Sequence, residues 1–224
     1  MENLIATNVE YIYKTKRHTV HALRGISAYF EPGKFYAIVG KSGCGKTTFL
    51  SLLAGLDVPM EGYITFNGKS TYDIDLDEYR MNHVALIYQN YNLLPLLTVV
   101  ENVMYPLLLK GVKESEAYKV SAEKINSVGI GEDYFKRFPA MLSGGEQQRV
   151  TIARALASNP DIILADEPTG NLDTENGKRI ISILRELATM NYICVIVVTH
   201  DPSIAEKADI IIKMADGKAV NEAC

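Results

Sequence analysis

The sequence predicts an α/β fold with a mixed β-sheet at its core, an N-terminal antiparallel β subdomain and an inserted helical subdomain. Short apolar runs rich in β-branched residues are followed by segments with helical spacing, which is typical of an α/β sheet. Before the first helical segment, residues 3–13 and 19–30 have the pattern of strands. Residues 91–142 differ in character, because helical spacing dominates there. We expect them to form the inserted subdomain.

The composition is that of a soluble globular protein. The 224 residues suffice for one large α/β domain or two small ones, and the net charge of −4 gives no basic footprint for nucleic acid. Cys44, Cys194 and Cys224 lack paired or metal-ligand spacing, which indicates a reducing compartment. The N-terminus lacks a signal-peptide pattern, and the longest apolar runs, 93–100 and 192–198, are too short to span a bilayer. We expect any membrane attachment to go through a partner.

Turn residues separate the predicted elements in the first part of the chain. The polar segment 14–18 predicts a turn between the first two strands, and residues 31–34 contain the Pro-Gly pair of a tight turn. Further apolar runs predict more elements. These are strands at 35–39, 63–66 and 84–88 and helices at 47–54 and 75–82.

A glycine-rich loop stands between the strand at 35–39 and the helix at 47–54. Its sequence, Gly-Lys-Ser-Gly-Cys-Gly-Lys-Thr-Thr, fits the pattern G-x-x-x-x-G-K-[ST]. Glycines let successive N–H groups point at phosphate oxygens, and the helix N-terminus adds partial positive charge. Lys46 can reach the terminal phosphates, and the Thr47 hydroxyl can ligate Mg²⁺. The sequence therefore predicts a nucleoside triphosphate site at Gly40, Lys41, Ser42, Gly43, Cys44, Gly45, Lys46, Thr47 and Thr48.

Three side chains outside this loop are candidates for the same site. Gln89 follows a buried strand, where polar residues face the ligand crevice of an α/β sheet. Its amide could touch Mg²⁺ and the attacking water, although an ordinary loop glutamine fits the position equally well. Tyr11 and Tyr13 could stack on adenine, or they could simply pack on the sheet.

The insertion begins with an apolar loop at 92–97, followed by helical spacing at 98–109 and 113–128. The leucines and the proline of the loop suggest a docking surface, but a buried core loop would explain them nearly as well.

A second glycine-rich helix start follows the insertion, at 142–149. Ser143 and Glu146 form the S-x-x-E pattern of a capping box, and Gly144 and Gly145 allow close approach to the backbone. This is a second helix N-terminus suited to an anion. It is either an ordinary cap or a contact to the triphosphate held by a second copy of the chain.

Two adjacent carboxylates end the next apolar run, at 161–167. Asp166 can hold Mg²⁺ directly or through water, and Glu167 can orient or deprotonate the attacking water. After a turn and a helix predicted at 174–189, the apolar run 192–199 predicts a central parallel strand. His200 at its end could bond the γ-phosphate or have a structural role. The last strands, at 209–214 and 218–221, flank an Asp-Gly turn.

The order of these motifs resembles that of the ATP-binding-cassette ATPase family, over essentially the whole chain. The phosphate loop, Gln89, the Leu-Ser-Gly-Gly-Glu-Gln segment, the carboxylate-tipped strand, Asn171-Leu172-Asp173 and His200 carry the resemblance. Residues 88–95 and 165–173 are similar to the lipoprotein-release, macrolide-export, antimicrobial-peptide-resistance and cell-division subgroup. The resemblance implies a phosphate-loop NTPase core and a single nucleotide-binding domain over residues 1–224.

The resemblance also implies that two copies sandwich two ATP molecules head to tail. Ser143, Gly144 and Gly145 would contact the γ-phosphate of the ATP bound to the facing subunit, and Asp173 would contact that subunit too. Gln89 would sense Mg²⁺, and His200 would hold the γ-phosphate and water. The adenine-stacking residue aligns best with Tyr13, with Tyr11 as the rival. In the phosphate loop, Cys44 is small enough to fit, but its oxidation should block phosphate binding.

The implied protein is the ATPase subunit of a membrane transport complex. It would be cytoplasmic and peripheral on the inner face of the membrane, bound there through a separate permease near residues 89–106. A chromosome-maintenance or DNA-repair ATPase is disfavoured, because the chain lacks a heptad array and a cysteine cluster between its nucleotide motifs. An ATPase that drives membrane signalling or cell division without cargo transport is not separable from a transporter by sequence.

Overall fold

The computed structural model describes residues 3–14 and 18–220. The turn predicted at 14–18 and the end of the last strand at residue 221 therefore lie partly outside the described residues. The strands are β1 (Leu4–Lys14), β2 (Thr19–Phe30), β3 (Phe35–Val39), β4 (Glu61–Phe66), β5 (Lys69–Ser70), β6 (Val84–Tyr88), β7 (Ile162–Asp166), β8 (Cys194–Thr199), β9 (Ile210–Ala215) and β10 (Lys218–Val220). The helices are α1 (Lys46–Leu53), α2 (Leu76–Asn82), α3 (Val99–Leu109), α4 (Glu114–Ser127), α5 (Gly144–Ala157), α6 (Thr174–Asn191) and α7 (Pro202–Ala205).

The predicted antiparallel β subdomain is a four-stranded sheet with the order β2-β1-β4-β5. Alternation buries Leu4 and Ala6 of β1 on one face, and a register shift after Ala6 turns Val9 into the same core. Gly62, the second residue of β4, lies beside an irregularity in β1 with φ +74, and a Cβ there would overlap the carbonyl oxygen of Asn8. Only glycine fits this close approach of the two backbones.

The predicted mixed sheet has the order β10-β9-β3-β8-β7-β6, in which β10 alone of the described strands runs antiparallel. Neighbouring residues of β3 point to opposite faces. Phe35 packs into one hydrophobic core with α5 and α6, whereas Tyr36 and Ile38 pack into a second core with α1 and β1. Burial on both faces explains why the strands appear in the sequence as continuous apolar runs.

The insertion is helical, as predicted. Thr98 caps α3 with a capping box to Glu101, and α3 and α4 pack against each other and against α5. Their buried side chains, among them Val103, Ala117 and Ile125, join the core that contains Phe35. Two short 3-10 helices then lead to α5.

The apolar loop before α3 is partly exposed and partly buried, so it combines the two alternatives, a docking surface and a core loop, that the sequence left open. Leu96 is 87% exposed, whereas Leu93, Leu94 and Leu97 are half-buried. The fully buried Asn102 of α3 holds the loop by hydrogen bonds. Its Oδ1 accepts from Leu94 N at 2.8 Å, and its Nδ2 donates to three backbone carbonyls between residues 94 and 98.

We expect Asn102→Ala to lower the free energy of unfolding by about 1–3 kcal/mol, because a buried donor and several acceptors lose their partner. Urea unfolding measures this change. Asn126→Ala, at an exposed position of α4, is the control and should change stability little. Equal stabilities of the two variants would contradict the role given to Asn102.

The strand predicted at 192–199 begins later in the structure. Tyr192, predicted to start a strand, instead ends α6 in the left-handed conformation with φ 58, and β8 begins at Cys194. Its ring lies over Gly33, where a Cβ would come within 3.2 Å of the tyrosine ring.

No helix among the described residues is long and apolar enough to cross a membrane.

Candidate functional site

The carboxyl ends of four parallel strands meet at one edge of the mixed sheet. The chain places Gly40 after β3, Gln89 after β6, Asp166 at the end of β7 and His200 after β8. Loops after the strands of an open α/β sheet form a ligand crevice at this edge. The fold therefore brings together site segments that are distant in sequence.

Lys46, the first residue of α1, folds back over the glycine-rich loop. Its ammonium group donates to the carbonyl oxygens of Gly40 at 2.8 Å and Lys41 at 3.1 Å, and the side chain is buried. Ser42 and Gly43, at the tip of the loop, are exposed. The loop thus presents open backbone around a single buried cation, as a phosphate site requires.

Two glycines of the loop meet neighbouring backbone. Gly45 has φ +102, and a Cβ there would overlap the carbonyl oxygen of Ala22 in β2. A Cβ on Gly40 would likewise overlap the carbonyl oxygen of Met214 in β9 and press on the sulfur of the buried Cys44. The loop is therefore held between two strands that belong to different sheets.

Asp166 lies across from the start of α1, where the nearby Thr47 hydroxyl favours its charged form. Burial raises the pKa of Asp166 above its ordinary value, and the nearby Glu167 adds to this effect. The Thr47 hydroxyl and the charge of Lys46 oppose it. A half-buried carboxylate beside a hydroxyl offers two hard oxygen ligands for a cation such as Mg²⁺.

The raised pKa predicts a pH-dependent stability effect of Asp166→Asn in the protein free of nucleotide and metal. At pH 7 the folded state holds an unfavourably buried charge, so the variant should resist urea better than the original protein. The gain should shrink as the pH falls through the raised folded-state pKa and vanish below the ordinary value of 3.8, where both states bind the proton. Asp73→Asn, at an exposed turn, controls for net charge. Lower stability of Asp166→Asn at pH 7 would contradict this account.

Glu167 and His200 form a pair. Glu167 Oε1 lies 2.8 Å from His200 Nδ1, and the Glu167 backbone takes φ 47 while its N–H donates to Val198 O. The imidazole is 73% exposed, whereas the carboxylate is only 18% exposed. A left-handed backbone outside glycine is costly and is concentrated at functional sites. The geometry places a sheltered carboxylate beside an exposed imidazole.

Gln89 lies against the loop that follows β7. Its Nε2 donates to Asn171 Oδ1 at 3.4 Å, and its side chain lies flat over Gly170. The structure thus brings Gln89 next to the segment that begins with Glu167, as the prediction of a shared site requires.

Of the two candidate tyrosines, Tyr13 is the one that reaches α1. Its hydroxyl is 3.3 Å from Thr48 Oγ1, and the side chain is 46% exposed. Tyr11 stacks edge-on against Tyr13, and its hydroxyl donates to Asp57, a bond that raises the pKa of Tyr11 to about 12. The Tyr11 side chain is therefore held by contacts within the protein, whereas the Tyr13 ring is accessible to a ligand.

The predicted capping box at the start of α5 is present. Ser143 Oγ accepts from Glu146 N at 3.4 Å, and Glu146 Oε2 accepts from Ser143 N at 2.7 Å. The nearest neighbours of a Cβ on Gly144 are Tyr91, Leu172 and Asn171, and those of one on Gly145 are atoms of Asn176. None of these residues belongs to the phosphate loop of the same chain.

Asp173 is exposed and caps α6. Its carboxylate accepts from the backbone N–H and the side-chain amide of Asn176, which lowers its pKa below the ordinary value. Because Asn176 contacts Gly145, the start of α6 lies beside the start of α5. The structure therefore groups Asp173 with the serine-led helix start.

Sequence reasoning missed the contacts that join α5 to the Gln89 loop. The carbonyl of Tyr91 accepts from Thr151 Oγ1 at 3.0 Å and from Arg154, whose second branch bonds Asn92 O. Tyr91 and Asn92 have φ values of 60 and 49. An asparagine after a strand does suggest a left-handed turn, but no pattern identifies which helix will bind it.

Comparisons with known proteins decide the family. Residues 23–170 match the family described as ABC transporter. The chain belongs to this family. An uncharacterized ABC transporter ATP-binding protein of Bacillus subtilis, YclH, is 44% identical over 93% of this chain and 92% of its own length. This confirms the predicted class, an ATP-binding ATPase subunit of transporters.

Solved structures of ABC ATPases confirm the predicted fold class as well. The cassette MJ0796 of Methanocaldococcus jannaschii, solved as a dimer, superposes with a TM-score of 0.90 at 38% identity, over 98% of this chain and 97% of its own. Another MJ0796 structure is a post-hydrolysis state bound to ADP and Pi. The macrolide export ATP-binding/permease protein MacB of Syntrophobacter fumaroxidans is 38% identical over 97% of this chain, which spans 31% of MacB.

Proposed function

We propose that residues 1–224 act as one nucleotide-binding domain that converts ATP binding and hydrolysis into movement of a separate membrane permease. The observation that carries the proposal is the presence of two helix starts suited to anions, one at the phosphate loop and one whose nearest neighbours lie outside that loop. The Lys46 loop lies in the crevice, while the Ser143 helix start has neighbours outside the phosphate loop.

In the proposed site, the backbone of residues 40–48 and Lys46 bind the phosphates of ATP. The exposed ring of Tyr13 stacks on the adenine. The oxygens of Thr47, Asp166 and Gln89 would hold Mg²⁺, which would neutralise phosphate charge during transfer. The described residues contain no cluster of three acidic, histidine or cysteine ligands, and Mg²⁺ fits such a site because it commonly uses one or two protein oxygens, phosphates and water.

Glu167 is the proposed base that orients and deprotonates the attacking water. His200 contacts the γ-phosphate and, through its bond to Glu167, keeps the carboxylate aimed at the water. Hydrolysis requires positioning and charge stabilisation more than covalent chemistry, so these fixed contacts are the contribution that the chain itself makes.

The second helix start is proposed to complete the site of another copy. Ser143, Gly144 and Gly145 contact the γ-phosphate of the ATP bound to the facing subunit, and Asp173 contacts that subunit's loop. MJ0796, solved as a dimer at TM-score 0.90, supports this arrangement. A two-fold pair of this kind contains two identical composite sites.

We propose that the permease is another chain that docks on residues 89–106, where Leu96 and Tyr105 are exposed. The protein would then be cytoplasmic and peripheral, held on the inner face of the membrane by this partner. MacB supports the pairing, because its name joins ATP binding with a permease. ATP closes the dimer, closure moves the permease, and hydrolysis reopens the pair.

Mixing two inactive variants tests the composite site. We expect Ser143→Arg and Lys46→Ala to be inactive alone, and turnover to reappear when the two chains are mixed. When equal amounts of the two variants pair at random, half of the dimers contain one chain of each variant. Each such dimer has one intact site of two, so activity should approach about a quarter of the original. Malachite-green phosphate release measures it.

Circular dichroism of each variant alone checks that both are folded. A second mixture, of Lys46→Ala with Lys46→Gln, is the control and should remain inactive, because neither chain supplies an intact phosphate loop. Absence of rescue in the first mixture would contradict the shared pocket.

A further inference from the structure

The side chain of Asn171 bridges the two loops that carry Gln89 and Glu167. Its Nδ2 donates to the backbone carbonyl of Gln89 at 3.0 Å and to Asn90 Oδ1 at 3.2 Å. Its Oδ1 accepts from Gln89 Nε2 at 3.4 Å. Three hydrogen bonds from one exposed side chain thus converge on two consecutive residues after β6.

These contacts determine which way each amide points. The carbonyl of Gln89 can only accept, so the Asn171 amide must present its nitrogen there and its oxygen to the Gln89 side chain. Gln89 must then present Nε2, because its own oxygen would face the oxygen of Asn171 without a proton between them. The Oε1 atom of Gln89 consequently takes no part in this bridge.

We infer that Asn171 is a positioning residue that holds Gln89 with its side-chain oxygen available to the metal. Mg²⁺ accepts oxygen ligands and is repelled by an N–H₂ group, so a reversed amide at this position would not bind it. This inference rests on the proposed function of Gln89 as a metal ligand. Gly170 supports the same geometry, because the glutamine side chain lies on it where a Cβ would come within 2.6 Å of Nε2.

Removing the bridge leaves Gln89 free to present either end of its amide. The net worth of such a hydrogen bond, about 0.5–1.5 kcal/mol, corresponds to about a 2- to 10-fold change in a binding constant. The effect is confined to binding in which the metal takes part. A purely structural role of Asn171 would weaken nucleotide binding with and without the metal alike.

The experiment measures the affinity for AMP-PNP, a non-hydrolysable ATP analogue, by isothermal titration in Mg²⁺ and again in EDTA. The ratio of the two affinities reports the contribution of the metal. We expect Asn171→Ala to lower this ratio about 2- to 10-fold and to leave the affinity in EDTA unchanged. Asn90→Ala, which removes only the contact between Asn171 Nδ2 and Asn90 Oδ1, is the matched control and should leave the ratio unchanged. Asn171→Ser, a second variant that also removes the amide, should lower the ratio in the same way.

Repeating the series in a Gln89→Ala background isolates the pair. There Asn171→Ala should have no further effect on the ratio. The inference is overturned if Asn171→Ala leaves the ratio unchanged, lowers both affinities equally, or acts as strongly without Gln89 as with it. If Gln89→Ala alone leaves the ratio unchanged, the metal role proposed for Gln89 fails, and the inference fails with it.

Discussion

Glu167→Gln is expected to lower steady-state ATP hydrolysis by about 100- to 10,000-fold, the usual contribution of a general base. Glutamine has nearly the shape of glutamate but cannot take the proton of the attacking water. The carboxylate it replaces is sheltered and held 2.8 Å from His200. ATP binding should persist, because the phosphate loop is untouched.

Phosphate release measures the loss of hydrolysis, and binding of a fluorescent nucleotide measures the retained ATP binding. Size-exclusion chromatography in ATP should show a stronger dimer, since the closed state can no longer be reopened by hydrolysis. Glu175→Gln, in the exposed first turn of α6, is the control and should hydrolyse ATP normally. A Glu167→Gln protein with normal turnover would remove Glu167 from its proposed role.

Gly45→Ala is expected to lower the free energy of unfolding by about 2–5 kcal/mol, from backbone strain at a left-handed position together with overpacking. The residue has φ +102, and the added methyl group would overlap the carbonyl oxygen of Ala22. Because Gly45 is also the N-cap of α1, next to Lys46, nucleotide binding should be lost along with stability.

Gly68→Ala separates the two causes. Gly68 has φ +75 in the turn between β4 and β5, and nothing lies within 4 Å of an added Cβ. It should cost only the conformational penalty, about 1–2 kcal/mol. Urea unfolding of both variants gives the difference, and equal losses would show that the contact with β2 is not restrictive.

Local sequence was enough to locate most elements, because their patterns agree with their burial. The phosphate-loop strand and β6 have the predicted bounds, and Ser143 caps α5 as its motif indicates. Tyr192 is the instructive exception. It ends α6 as a left-handed C-cap whose N–H donates to Leu187 O, a position that glycine or asparagine usually fills, so the residue type did not signal it.

The site divides in the same way. Lys46, Asp166 and Glu167 lie in motifs whose spacing predicts their chemistry, and parallel strand order then brings them to one edge. Asn171 and Tyr91 act through contacts between segments that are far apart in sequence. Such contacts depend on the tertiary fold, so a single sequence cannot reveal them.

The grip of α5 on the turn at Tyr91 has a mechanical consequence. Thr151 and Arg154 both bind the same carbonyl, and the arginine bond is charge-assisted. The turn therefore cannot slide along the helix without breaking both bonds. A displacement of this turn would therefore either break these bonds or move α5, whose N-cap is Ser143.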